Sequence, residues 1–132
     1  MQAAAVFFPP TDFLNYGGPG IDGVGRGPME PLKVAFGPRS ETEQGRRALG
    51  LEISPLYHVT TNLPPTVIIH GDADEVVPLQ QAVSFAERAK SLGAAPVRVV
   101  VREGKGHGWG DFWRSGEDLQ VFADWFDEHL KK

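Results

Sequence analysis

Residues Thr66–Glu103, "TVIIHGDADEVVPLQQAVSFAERAKSLGAAPVRVVVRE", hold two short runs of β-branched residues with one helical pattern between them. "TVIIH" (Thr66–His70) is short and bounded by turn residues, as a buried strand should be. Pro78 suits the first turn of a helix, and Leu79, Ala82, Val83, Ala86 and Ala89 then recur at helical spacing until Gly93 supplies a stop. "VRVVVR" (Val97–Arg102) is the second strand. A strand, a helix and a strand within about 35 residues form a βαβ unit, which requires a parallel sheet.

Working outward, Ala3–Phe8 ("AAAVFF") is an apolar run stopped by Pro9 and Pro10, suited to a strand buried on both faces. From Thr11 to Phe36 six glycines fall between Gly17 and Gly27, with prolines at Pro19, Pro28 and Pro31, which predicts a long loop or lid-like excursion. Ser40 and Glu43 have the spacing of a capping box for a short helix, with Gly50 placed to end it. Ser115 and Asp118 have the same spacing ahead of a last helix that places Leu119, Phe122, Trp125, Phe126 and Leu130 on one side. The fold class is therefore α/β: one domain over residues 1–132, a parallel sheet of about three strands with flanking helices in three αβα layers, and the excursion at about 11–36.

Composition excludes several function classes. A chain of 132 residues with 41% hydrophobic and 23% charged residues can bury a core. Net charge is −4 and no basic cluster exceeds a pair, so nucleic acid is not an expected partner. There is no cysteine, which removes disulfides, thiolate metal sites and a cysteine nucleophile. Ala3–Phe8 is far shorter than the roughly 20 residues that span a bilayer, and no basic segment precedes it, so neither a membrane span nor a secretory signal is read here; the compartment stays unknown.

In open parallel sheets the reactive side chains collect on loops that leave the C-terminal ends of strands. Two such loops carry candidates: "HGDADEVVP" (His70–Pro78) and "GKGHGWG" (Gly104–Gly110). Asp74 and His107 would put a carboxylate on one loop and an imidazole on its neighbour. That is the orienting half of a nucleophilic triad, in which the carboxylate fixes the tautomer and the other ring nitrogen takes a proton from a hydroxyl. Gly104, Gly106 and Gly108 suit a loop that bends sharply and leaves the ring exposed.

These two loops resemble the C-terminal part of an α/β-hydrolase, in the branch of bacterial acetyl-esterases and prolyl-oligopeptidase-like enzymes. His70, Gly71, Asp74, Val77 and Pro78 match an H-G-x-x-D-x-x-V-P acid loop, and Gly106, His107 and Gly108 match a G-H-G histidine loop. "SPLYHVT" (Ser54–Thr60) and "PPTDFLNYG" (Pro9–Gly17) also look like segments of such esterases. The resemblance implies that Asp74 is the triad acid, His107 the general base, a small ester the substrate, and that no cofactor is needed.

The family's nucleophile motif, G-x-S-x-G, is absent: none of the five serines (Ser40, Ser54, Ser84, Ser91, Ser115) has glycine two places before and after it. By the family order, Ala3–Phe8 would follow the strand and helix of the nucleophile, so the attacking serine and both oxyanion donors would lie outside the chain. Three functions stay open: a serine hydrolase whose nucleophile comes from a companion segment, a weak stand-alone esterase with a substitute nucleophile, and an inactive module that binds or oligomerises. An open apolar edge at Ala3–Phe8 predicts pairing there, with a second copy or a companion N-terminal segment.

The other candidates have plainer readings. Asp72 and Glu75 read as loop carboxylates, solvated or bonded to backbone N–H groups, and His70, His58 and His129 as structural. Gly18, Gly20 and Gly23 spell G-x-G-x-x-G but open no helix, so no dinucleotide site is inferred. "DADEVV" lacks the third ligand and the glycine of a calcium loop, so no metal is expected. Trp109, Phe112 and Trp113 read as packing beside the histidine loop, where one could line an acyl or alcohol pocket.

Overall fold

The computed structural model describes residues 2–110 and 112–130. Three strands, β1 (Ala4–Phe7), β2 (Thr66–Gly71) and β3 (Val97–Arg102), form one parallel sheet in the order β1-β2-β3. The register pairs Ala4 with Thr66 and Thr66 with Val97, so the C-terminal ends of β2 and β3 lie side by side and their loops leave together. All of β2 is buried, as its unbroken apolar run requires. β1 is only half-buried, because it forms one edge of the sheet and lacks a neighbour on its outer side among the described residues.

Helix α3 (Gln80–Ser91) covers one face of the sheet, where Ala82, Phe85 and Ala89 pack with Ile68 and Val59. The buried stripe is rotated from the expected one. Phe85 is buried and Val83 is exposed, because the sheet meets the side of the helix that carries Ala82, Phe85 and Ala89. Helix α4 (Gly116–Leu130) covers the other face: Phe122 meets Phe7 with ring centroids 4.7 Å apart, and Trp125 donates its indole N–H to the Pro65 carbonyl at 3.3 Å. Leu119 and Leu130 stay exposed, so the stripe on α4 is narrower than its sequence spacing suggests. The three αβα layers are thus α3, the sheet and α4.

The excursion carries short helical turns. It ends in a 3₁₀ turn (Gly27–Leu32) and a one-turn helix, α1 (Lys33–Phe36). Tyr16, Met29 and Val77 form a small core with Phe13 and Phe36, which fastens the excursion to the acid loop. Helix α2 (Glu43–Ile53) starts later than the Ser40 capping box predicts. Its cap is Thr42, whose hydroxyl accepts from Gly45 N–H at 3.0 Å, while Ser40 Oγ donates to the Gly37 carbonyl. Gly50 does not end α2 either. A Cβ there would collide with Leu14, so this glycine serves a close approach inside the helix. No helix among the described residues is long and apolar enough to cross a membrane.

Candidate active site

The acid loop folds around its own carboxylate. Asp74 Oδ1 accepts the N–H groups of Val76 (2.9 Å) and Val77 (2.8 Å), an Asx-type turn that brings the side chain inward. The side chain is wholly buried, and Oδ2 is turned toward the neighbouring loop. In that direction lies His107, with Nδ1 2.9 Å from Asp74 Oδ2. Aspartate in its ionised form only accepts, so the imidazole Nδ1 carries the hydrogen and donates it. Nε2 of His107 is then the basic nitrogen, and it finds no hydrogen-bond partner among the described residues. About a third of the His107 side chain is exposed (34%).

Backbone contacts hold the two loops in place. Ala73 N–H donates to Lys105 O at 3.0 Å, Asp72 N–H to Arg102 O at 3.2 Å, and Gly104 N–H to Asp72 Oδ1 at 2.6 Å. Asp72 therefore acts as a loop clasp, whereas Glu75 remains at the surface. Gly71 is required by space: a Cβ there would run into the Lys105 carbonyl oxygen. In the histidine loop, Gly108 takes the left-handed backbone (φ 67°) that turns the chain just past the imidazole. Gly106 has room for a Cβ, with the Ala73 oxygen 3.7 Å away, so the spacing of glycines overstates how many the loop needs.

Three neighbours of the pair were not legible as such in the sequence. Phe8, just past the end of β1, has φ of 32°, the single positive value at a non-glycine position among the described residues. Its ring sits 4.4 Å from that of His107, centroid to centroid, and 5.1 Å from Phe112. A residue before proline is expected to be extended, so no local signal announces this turn. Tyr16, buried in the excursion, donates its hydroxyl to the Val76 carbonyl at 2.9 Å; burial, and then the charge of Asp74, push its pKa well above the usual phenol range. His70, fully buried at the end of β2, lies with Nε2 2.7 Å from the Val77 carbonyl and 3.5 Å from Asp74 Oδ2.

The remaining aromatic and histidine residues are placed as packing. Trp109 and Phe112 cluster with Phe7 and Phe8, and Trp113 is half-exposed beneath the Arg114 guanidinium. His58 bonds the Glu52 carbonyl at 2.9 Å, and His129 lies on the Trp125 ring. Beside His107 a largely apolar groove of about 330 Å³ runs between Phe8, Pro9, Met29, Leu32 and Val76. A cavity of about 390 Å³ between Ala86, Lys90 and Pro96 lies at the N-terminal end of β3, away from both loops.

A three-stranded parallel sheet with α3 and α4 on its two faces and the acid and histidine loops at its C-terminal edge defines the α/β-hydrolase class. Residues 35–132 match the model of the prolyl oligopeptidase family, and the chain belongs to that family. It is 41% identical over 74 residues to Esterase LipC of Mycobacterium tuberculosis, covering 54% of this chain and 18% of that protein. A probable carboxylic ester hydrolase of the same organism, LipM, is 29% identical over 100 residues, covering 74% of this chain and 21% of its own. Among solved structures, a truncated carbohydrate esterase from gut microbiota superimposes with a TM-score of 0.75 at 29% identity, over 95% of this chain and 41% of that one. Esterase 2 of Thermogutta terrifontis, phosphonylated by sarin, gives 0.69 at 29% identity, over 99% and 46%. The chain thus spans about a fifth of the two mycobacterial relatives and less than half of the solved esterases.

Proposed function

We propose that this chain carries the acid and the general base of a serine carboxylic ester hydrolase, with Asp74 orienting His107 and His107 Nε2 taking the proton from an attacking serine. The observation that carries the reading is the 2.9 Å bond from His107 Nδ1 to a fully buried Asp74, which leaves Nε2 free on the exposed side of the ring. The carboxylate sets the tautomer and stabilises the imidazolium that forms as the hydroxyl attacks the ester carbonyl. The apolar groove beside the ring suits the hydrocarbon part of a small ester.

The attacking serine is supplied from outside these residues. Each serine of the chain is engaged elsewhere: Ser40 Oγ donates to Gly37 O, Ser54 Oγ to Gly50 O and Ser91 Oγ to Arg88 O. Ser84 accepts from the Gln80 amide and Ser115 from Asp118 N–H. The outer edge of β1, unpaired among the described residues, is where a strand bringing a G-x-S-x-G turn would join the sheet. Mixing or co-expressing the chain with a segment that carries this motif is expected to produce hydrolysis of a short-chain nitrophenyl ester that His107→Ala removes. Hydrolysis indifferent to that substitution would refute the reading.

The same edge favours a second reading, in which the chain is a non-catalytic module that oligomerises through β1. Light scattering at micromolar concentration separates the two: a stable homodimer without esterase activity in any mixture supports the module, and a monomer excludes it.

A further inference from the structure

Two imidazoles approach the same carboxylate oxygen. His107 Nδ1 is 2.9 Å from Asp74 Oδ2 on the exposed side, and His70 Nε2 is 3.5 Å from it on the buried side. The Val77 carbonyl, 2.7 Å from His70 Nε2, can only accept, so that nitrogen carries the ring's hydrogen. Nδ1 of His70 is buried and has no hydrogen-bond partner among the described residues. Burial holds the pKa of His70 below its usual value of 6.5, against smaller opposing effects of the Val77 bond and the Asp74 charge, so the ring is neutral at neutral pH.

Two hydrogen bonds and one 3.5 Å approach link these groups. His70 donates to Val77 O, Val77 N–H donates to Asp74 Oδ1, and Asp74 Oδ2 faces both imidazoles. From the excursion, Tyr16 fixes the adjacent Val76 carbonyl. A residue serving only to fill space would need no donor at the end of β2, because a phenyl ring fills nearly the same volume. We propose that His70 is a positioning residue: its Nε2–H fastens the Val77 carbonyl and braces Asp74 so that Oδ2 stays aimed at His107 Nδ1. This rests on the reading of Asp74 and His107 as the acid and base of the site.

The test is long-range ¹H–¹⁵N NMR of the 132-residue protein at neutral pH, which reports the tautomer of each histidine. The expected spectrum has His70 protonated at Nε2 with Nδ1 bare, and His107 protonated at Nδ1. His70→Gln, whose amide nitrogen reaches close to the Nε2 position, should keep the His107 tautomer. His70→Phe, which fills the space without a donor, should lower the Nδ1–H to Nε2–H ratio of His107 several-fold. A wild-type His70 protonated at Nδ1, or an unchanged His107 ratio in folded His70→Phe, would overturn the proposal. Should His70→Phe fail to fold, folded His70→Gln decides: retention of the His107 tautomer supports the proposal, and its loss overturns it. No reading here requires ester turnover, so a completed protein that hydrolyses nothing would count against the proposed function and leave the positioning result as measured.

Discussion

His107 and His70 face the same aspartate from opposite sides, and their surroundings give them different work. His107 sits on a glycine-bounded loop with about a third of its side chain in solvent, which leaves its second nitrogen accessible, as the proposed base requires. His70 is enclosed at the end of β2 with one nitrogen committed to a carbonyl and the other without a hydrogen-bond partner among the described residues. Residue type and a neighbouring carboxylate do not by themselves distinguish them. Burial and the partner of the remaining nitrogen do.

The largest expected break in this contrast is at His107. Once the nucleophile is supplied, His107→Ala should lower kcat by on the order of 10⁶-fold, as loss of a triad base does. Asp74→Asn should cost about 10⁴-fold, because the ring would survive with the wrong tautomer favoured. Steady-state hydrolysis of a nitrophenyl ester measures both, and equal losses at the two positions would argue against separate orienting and proton-transfer roles.

Next in size is the backbone that keeps the two loops together. Gly71→Ala forces a Cβ against the Lys105 carbonyl, a clash with backbone rather than with a flexible side chain. It should destabilise the protein by roughly 1–3 kcal/mol, the usual cost of overpacking, read as a lowered urea midpoint. Gly106→Ala, where the nearest atom is at ordinary contact distance, should leave the midpoint almost unchanged.

The smallest expected effect is the pH dependence that His70 contributes. Its folded pKa is depressed below 6.5, so the unfolded chain binds more protons between the folded value and 6.5. That stability is fully present above about pH 6.5 and is lost as pH falls from there through the folded value. Asp74 and His107 are the titratable groups that face it. Urea midpoints at pH 7.5 and 5.5 should therefore differ less in His70→Gln than in the wild type, and an equal difference in both would remove His70 as the cause.

Much of this architecture was written in local pattern. The strand and helix of Thr66–Arg102 follow from β-branched runs and helical spacing, and the Asp74 and His107 loops from their position after β2 and β3. Local signals failed where a neighbour distant in sequence decides. Gly50 resembles a helix stop but is there for Leu14, and Ser40 resembles a cap but bonds Gly37 while Thr42 caps α2. Phe8 and Tyr16 reach the site only after the chain has folded back over the acid loop, so no spacing in the sequence could place them there. His70 stood inside a matching motif and read as structural; its link to Asp74 needed the Val77 carbonyl to be located.

The most direct measurement is fluorophosphonate labelling of the protein mixed with a G-x-S-x-G segment, followed by peptide mapping. One label is expected, on the serine of the added G-x-S-x-G segment, and it should be lost in His107→Ala. A label on Ser40, Ser54, Ser84, Ser91 or Ser115 would contradict it, since the base would then serve a nucleophile within this chain.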